Sequence, residues 1–510
     1  MELPASDLLM LVLLTIVAGV CVMVAVCAIG RRRKLPPGPL ALPIIGHLHL
    51  VGKRPHRSFC DLSKRYGPLM YLRLGSVPIV VASTPEMARE ILQRHDKDFS
   101  SRFRTAACEA IYGPSTSFTF SDTGPYVKFL RQLCTTELFS AKRMASFEPI
   151  RMQEARALLR SLVADSKINS TKPISVRPKL QIATSNIICR MVLGEASPEI
   201  VPVLLDVIEA LGAFNLGDFI PLLRWMDWQG CVKHSKLVAG PRMKAAFQAI
   251  IDGRREQRRG IHDPPKDLLD ILLSASVSCP QNIQMSDEHI KAVLQEVFGG
   301  GSDTSALLIE WALAELLANP TKMKTLQEEL ESVVGRARMV QESDIPNMPY
   351  LMAVIKETMR LHPIITFLIP RKSTQPCQIA GYDIPANTQA YVNTWVIGRD
   401  PKVWERPLTF LPERFLCDHS HIDVRGQNFE LLPFGSGRRG CLGWSLGLLN
   451  VQNILASLVQ AFDWSADEHE LDMSEKLSPL MTKMKPLHAS IRLKLSESLF
   501  HDNGDSNPRA

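Results

Sequence analysis

One cysteine of this chain stands in surroundings unlike those of the rest. Cys441 lies in the run Pro433-Phe434-Gly435-Ser436-Gly437-Arg438-Arg439-Gly440-Cys441-Leu442-Gly443. A glycine-rich loop lets backbone N–H groups crowd around one atom. A helical run from Trp444 to Phe462 follows directly, and its N-terminus adds positive potential. Both effects favour a thiolate over a thiol at Cys441. A thiolate wrapped in backbone donors suits an axial ligand that pushes electron density onto haem iron and assists O–O cleavage. Glycine-rich loops ahead of helices also cradle phosphates. This one lacks the Lys-Ser/Thr ending of a phosphate loop, and that reading leaves Cys441 without a task.

Two further stretches stand out. Gly300-Gly301-Ser302-Asp303-Thr304-Ser305 interrupts a long apolar helical pattern. A glycine inside a helix costs about 1 kcal/mol relative to alanine, so something must offset it. One account is a kink with Ser or Thr bonding back to the preceding turn. In Lys356-Glu357-Thr358-Met359-Arg360, Glu357 and Arg360 are i,i+3 neighbours that can pair. On a surface such a pair is worth about 0–1 kcal/mol. The 13 histidines show no HxxxH metal spacing, and His362, ahead of Pro363, reads as structural.

The elements that must position these residues are mostly helical. Apolar periodicity predicts helices over Met87–His95, Ser140–Ala164, Val201–Leu211, Met285–Asn319 and Met348–Leu361. Short strands are predicted at Leu69–Leu74, Ile79–Ala82, Cys377–Ile379 and Gln389–Asn393. The fold class is therefore mostly α with a small β portion. Arg254–Gly260 reads as a polar loop, and the end of the chain from about Leu499 as a disordered tail.

Net charge is +7 over 510 residues, and four of the positive charges are Arg31, Arg32, Arg33 and Lys34. No long basic tract remains elsewhere, which argues against nucleic-acid binding. The 11 cysteines are odd in number and unpaired in spacing, unlike a disulfide framework or a zinc site. Leu8–Ile29 is uncharged and apolar, long enough at about 1.5 Å per residue to cross a bilayer core of about 30 Å. Acidic residues precede it and the basic cluster follows, so it reads as an uncleaved signal anchor rather than a signal peptide. The positive-inside rule puts everything after it in the cytosol. The Asn169-Ser170-Thr171 sequon should then stay unmodified. The expected organisation is an anchor over 1–34, a proline-rich hinge over 35–40, a catalytic body over 41–495 and a tail over 496–510.

Residues 433–443 resemble the haem-binding loop of the cytochrome P450 superfamily at Phe434, Gly437, Arg439, Cys441 and Gly443. Other signatures follow in the family's order across essentially the whole chain. The resemblance implies the cytochrome P450 fold behind one N-terminal transmembrane helix, and haem b with its iron on Cys441. Glu357 and Arg360 resemble the family's Glu-x-x-Arg motif, which implies a structural lock with Arg414 of Pro412-Glu413-Arg414-Phe415. Asp303 and Thr304 take the place of the acid–alcohol pair that relays protons. Arg131, Arg371 and Arg439 match positions that bind haem propionates. Val127 and Lys128 replace the usual Trp-Arg of the helix carrying Arg131, which weakens one expected propionate contact.

The implied activity is monooxygenation driven by NADPH and dioxygen. No flavin- or NADPH-binding motif is present, so the resemblance implies electrons from NADPH–cytochrome P450 reductase, on the endoplasmic reticulum membrane. A relative that rearranges peroxides would often lack Thr304, and a non-catalytic haem sensor or carrier would not need the Asp303–Thr304 pair. Phe214-Asn215-Leu216-Gly217-Asp218-Phe219-Ile220-Pro221, Trp311–Leu316, Ile397–Pro401 and Asp423–Phe429 are similar to plant microsomal enzymes of the flavone synthase II, flavonoid hydroxylase and ferulate 5-hydroxylase group. The resemblance favours hydroxylation of a small aromatic, a phenylpropanoid or flavonoid, with flavone formation and terpenoid oxidation as alternatives. Pocket candidates by family position are Arg104–Thr123, the surroundings of Phe214, the helix before Asp303, Ile364–Leu368 and Leu480–Met481.

Overall fold

A computed structural model describes residues 34–501, apart from 114–115, 169–172, 259–265, 279–284, 468–470 and 478. The expected anchor, the Asn169 sequon and residues 502–510 lie outside the described residues. Among those described, no helix is long and apolar enough to cross a membrane.

The organising element is the helix Asp303–Ala318, whose side chains are buried from Ser305 to Leu316. A helix apolar all round needs cover on every side. Val176–Leu193, Pro320–Val333, Pro349–Leu361 and Trp444–Ala461 supply it. The predicted single helix over Met285–Asn319 is two, Asp287–Gly301 and Asp303–Ala318, broken at Ser302 (φ −87°, ψ −74°). Ser302 Oγ donates to Phe298 O and Thr304 Oγ1 to Gly300 O, each at 2.8 Å. Hydroxyls bonding back in this way bend helices. Close packing accounts for one glycine: a Cβ on Gly301 would lie 2.7 Å from Ile188 Cδ1, whereas one on Gly300 would meet open space.

The main sheet holds five strands in the order Leu69–Leu74, Val77–Ala82, Gln389–Val392, Arg371–Lys372, Ser101–Arg102. Its first two strands form an antiparallel hairpin, Val77–Ala82 runs parallel to Gln389–Val392, and the remaining pairs are antiparallel. Leu69, Val80, Ala82, Ala390 and Val392 close one small core with Phe99 and Phe429, and Phe59, Met70, Leu72, Ile79 and Val81 close another. The sheet thus holds Arg102 and Arg371 against the helical body.

Several expectations need adjustment. The run Ser140–Ala164 is split at Phe147 into Ala141–Ser146 and Glu148–Ile168. Arg254 is not in a polar loop: it belongs to the helix Gly240–Gln257 and bonds Asp267 at 2.6 Å and Asp270 at 2.8 Å. Glu497–Phe500 is a packed turn with Phe500 fully buried, so apolar burial extends into the expected tail. The proline-rich stretch is seated on the body, with Tyr71 N–H donating to Pro37 O at 2.9 Å.

Candidate active site

The cysteine loop is built by its own backbone. Cys441 N–H donates to Phe434 O at 2.9 Å, and Gly440 N–H to Gly437 O at 2.9 Å. Gly437 has φ +68°, and a Cβ there would lie 2.5 Å from Leu92 O and Asp96 Oδ1, so only glycine fits. Asp96 fastens the loop: Oδ1 accepts from Arg371 Nη1 at 2.6 Å and from the Arg438 N–H at 3.1 Å. The loop helix meets the central helix where a Gly447 Cβ would lie 3.9 Å from Ser305 Oγ. The loop of Cys441 therefore leads into a helix packed on the one that carries Thr304.

Cys441 keeps accessible surface while protein packs densely around it. Burial pushes its thiol up, and the Gly443 N–H and the Arg131 guanidinium pull it down without offsetting that rise. This runs against the expectation that loop and helix dipoles favour a thiolate over a thiol at Cys441. Desolvation wins, and a bound metal cation supplies the charge that deprotonates a coordinating thiol outright.

Glu357, Arg360 and Arg414 meet as expected, all buried. Glu357 and Arg360 pair through two bonds of 2.7 Å, and Arg414 Nε reaches Glu357 Oε1 at 3.2 Å. Arg360 also donates to the carbonyls of Gly398, Pro407 and Thr409, and the Leu411 N–H donates to Glu357 Oε1. The helix carrying the pair starts at Pro349, and its Tyr350 and Leu351 N–H groups donate to Glu329. The network therefore ties this helix to the chain ahead of the cysteine loop. His362 is structural: it stacks on Trp311 at 3.9 Å and its Nε2 faces Glu315 at 2.6 Å.

The three expected propionate arginines are joined by a fourth that the sequence did not reveal. Arg102 and Arg371 are directly opposed across two antiparallel strands, an arrangement that is unfavourable without an anion between or beside them. Burial pushes Arg102 far down from its usual value, and Arg371, Arg439 and Arg131 push it further. Arg102 Nε is buried without a partner. Among the described residues, Asp96 is the one carboxylate bonded to any of these four. Arg131 Nη2 donates to Gly440 O at 2.8 Å, and Arg439 donates to Ser100 O, Phe118 O and Ser121 O. Val127 is buried in the core and Lys128 is exposed. An accessible cysteine sulfur beside a cationic cluster with an orphaned guanidinium nitrogen fits a haem and its two propionates. Haem, when bound, supplies the dioxygen chemistry.

At the start of the central helix, Asp303 is nine-tenths buried. Its Oδ1 accepts from Gln181 Nε2 at 2.6 Å. Burial pushes its carboxyl up, with Gln181 and Arg177 pulling it down. Asp303 and Thr304 thus face different surroundings, and Gln181 was not visible as a site residue in the sequence. Of the pocket segments, Ile364 and Met481 are joined by a 2.8 Å backbone bond. Ala106 N–H reaches Asp218 Oδ1 at 2.8 Å. Phe214 is half-exposed and stacks on Phe219 at 5.2 Å. A separate half-buried group, His95, Asp98 and Cys377, places one ligand-type atom from each within 4.8 Å. The Cys377 thiol is pushed up to about 11 by burial and by Asp98.

Comparisons with known proteins agree with this geometry. The family model described as Cytochrome P450 matches residues 36–491. A flavonoid 3',5'-hydroxylase from Campanula medium is 38% identical, over 92% of this chain and 94% of its own. A beta-amyrin 24-hydroxylase from Glycine max is 41% identical, over 90% and 92%. A zebrafish cytochrome P450 solved with abiraterone is 26% identical with a TM-score of 0.71, covering 86% of this chain and 100% of that one. With the thiolate loop, the buried Glu357–Arg360–Arg414 network and the cationic cluster in place, the chain belongs to the cytochrome P450 family and is a haem-thiolate monooxygenase.

Proposed function

We propose that the enzyme uses NADPH, by way of a reductase, and dioxygen to hydroxylate a plant phenolic, with a flavonoid ring as the first choice. The observation that carries this is the flavonoid hydroxylase that aligns over 92% of the chain. Phenylpropanoids and flavone-type oxidation of flavanones stay within the same aromatic class. Triterpenoid hydroxylation is the second reading, because the beta-amyrin hydroxylase aligns at 41% identity. In this reading Cys441 holds the haem iron, the four arginines hold the propionates, and Asp303 with Thr304 delivers protons to the distal side. The test is expression in reductase-containing microsomes with NADPH and a panel of flavanones, flavones, hydroxycinnamaldehydes and a triterpene, with Cys441→Ser as control. A product heavier by one oxygen from a flavonoid, absent in the control, supports the reading. Product from the triterpene alone replaces it with the second.

The same proposal places residues 1–34 as a single-pass anchor in the endoplasmic reticulum with the body in the cytosol. An exposed apolar surface supports it. Leu40 and Ile44 are largely exposed, as are Leu222, Trp225 and Trp228. Both segments converge on one hairpin turn, where Gly75 N–H donates to Ile45 O and Ser76 N–H to Phe219 O. An exposed apolar patch of this kind, beside the end of an anchor, suits a lipid surface. Deletion of 1–34 should leave residual membrane binding that Leu222→Asp with Trp225→Asp abolishes. Complete release on deletion alone counts against a membrane role for the patch.

A further inference from the structure

The turn Ser117–Ser121 is gripped from two sides. On its N–H side stands Glu296, from the helix Asp287–Gly301. Its carboxylate accepts from Ser117 Oγ, from the Phe118 N–H at 3.0 Å and from the Thr119 N–H at 3.3 Å. On its carbonyl side stands Arg439, two residues ahead of Cys441, donating to Phe118 O at 3.1 Å and Ser121 O at 2.5 Å. The turn also closes on itself, with Phe120 N–H donating to Ser117 Oγ at 2.8 Å. On either side of it, Tyr112 Oη donates to Gln295 Oε1 and Tyr126 Oη to Thr116 O. One turn thus spans from the helix preceding Asp303 to the loop holding Cys441.

We propose that Glu296 is a positioning residue for substrate: its carboxylate holds the Ser117–Ser121 turn as a fixed wall of the pocket between the distal helix and the cysteine loop. The proposal rests on the monooxygenase reading and names a determinant of that site. A side chain that merely capped a distant loop would not share its target with a residue of the cysteine loop. Here the same five-residue turn receives both an acid from the distal side and a guanidinium from the proximal side, and the two meet at Phe118. Loosening the acid frees the N–H side of the turn while Arg439 still holds its carbonyl side, so the wall moves while the cysteine loop stays.

The clamp is also sensitive to protons. Burial pushes the Glu296 carboxyl up to about 7, against the pull of Ser117, Phe118 and Thr119. The groups that face it are Cys108 and Cys134, both pushed up to about 12, Tyr112 and Tyr126, both pushed up, and Arg439, held down at about 10. His289, on the same helix and packed on Tyr126 at 5.0 Å, is pushed below its usual value by burial. A protonated carboxyl gives up an acceptor site to its own proton, so the turn loosens as pH falls through about 7.

The experiment is hydrogen exchange on the full-length holoenzyme, read at residues 116–121, with Glu296→Gln and Ser117→Ala beside the wild type. Binding of 4-phenylimidazole, a ligand of haem iron, is titrated on the same samples. The expected result for Glu296→Gln is a loss of about tenfold in amide protection and in 4-phenylimidazole affinity, with haem content and the carbon monoxide spectrum unchanged. Ser117→Ala keeps the carboxylate and should shift both in the same direction by less, which keeps the test valid if Glu296→Gln does not fold. Wild-type protection, corrected for intrinsic exchange, should fall with pH, and the Glu296→Gln protection should not. Unchanged protection overturns the clamp, and lost protection with unchanged ligand affinity overturns the wall. A wild type without the thiolate-haem carbon monoxide band would instead refute the monooxygenase reading.

Discussion

Gln181 Nε2 donates to Asp303 Oδ1 at 2.6 Å, so the acid of the proposed proton-relay pair is held by a neutral partner on the neighbouring helix Val176–Leu193. Gln181 is half-buried while Asp303 is buried. The contact therefore joins the buried acid to a side chain that reaches the surface.

Removing that donor should move a pH profile. Burial already pushes the Asp303 carboxyl up, and Gln181 is the largest opposing influence. Gln181→Leu should raise it further, keeping Asp303 protonated to higher pH. The expected outcome is a product-to-NADPH ratio whose pH midpoint moves to the alkaline side, with more peroxide released per NADPH. An unshifted midpoint shows that Asp303 does not govern proton delivery.

The Glu357–Arg360–Arg414 network should be needed for a folded body. Both members of the closest pair are fully buried. Glu357→Ala strands Arg360 and Arg414, and breaking a buried pair from one side costs about 3–5 kcal/mol. Thermal unfolding of the variant should show that loss, together with poor haem retention. A variant within 1 kcal/mol of the wild type, an outcome of about the size of a surface pair, would show that the network is not structural.

Arg102 predicts a separation between haem affinity and protein stability. Its Nε has no partner and its three guanidinium neighbours repel it. Arg102→Met removes a like charge, so the apoprotein should be as stable as the wild type or more so. Loss of a propionate partner should nonetheless speed haem transfer to an excess of apomyoglobin by about tenfold. Equal transfer rates would remove Arg102 from the site.

Glu475 gives a pH dependence of stability. Burial raises its carboxyl, but hydrogen bonds from His56 and Arg57 outweigh that and hold it at about 2, against an ordinary 4.5. A depressed acid stabilises the fold above its unfolded value and loses that contribution as pH falls through its folded value. Glu475→Gln should therefore be less stable than the wild type at neutral pH. The gap should close as pH drops from 4.5 towards about 2. Denaturant midpoints across that range check it.

The contiguous parts of the site were legible in the sequence. The cysteine loop, the Glu357–Arg360 pair and the Asp303–Thr304 step each carry their residue types within a few positions, and backbone bonds such as Cys441 N–H to Phe434 O stay inside the motif. Strands Leu69–Leu74 and Cys377–Ile379 match their predicted bounds. The break at Ser302 was half visible: the glycines signalled strain, but contact with Ile188 fixed which one packing requires.

By itself the sequence determined the ligand cysteine, the helical class and the family, because those depend on residues near one another along the chain. Tertiary structure alone decided that Arg102 faces Arg371, that Gln181 holds Asp303, that Glu296 and Arg439 share one turn and that Phe500 is buried. Each of these joins groups far apart in sequence. Periodicity and capping act over a few residues, whereas such contacts are fixed only when helices and sheet pack and exclude water, the same desolvation that raises the Cys441 thiol and the Glu296 carboxyl.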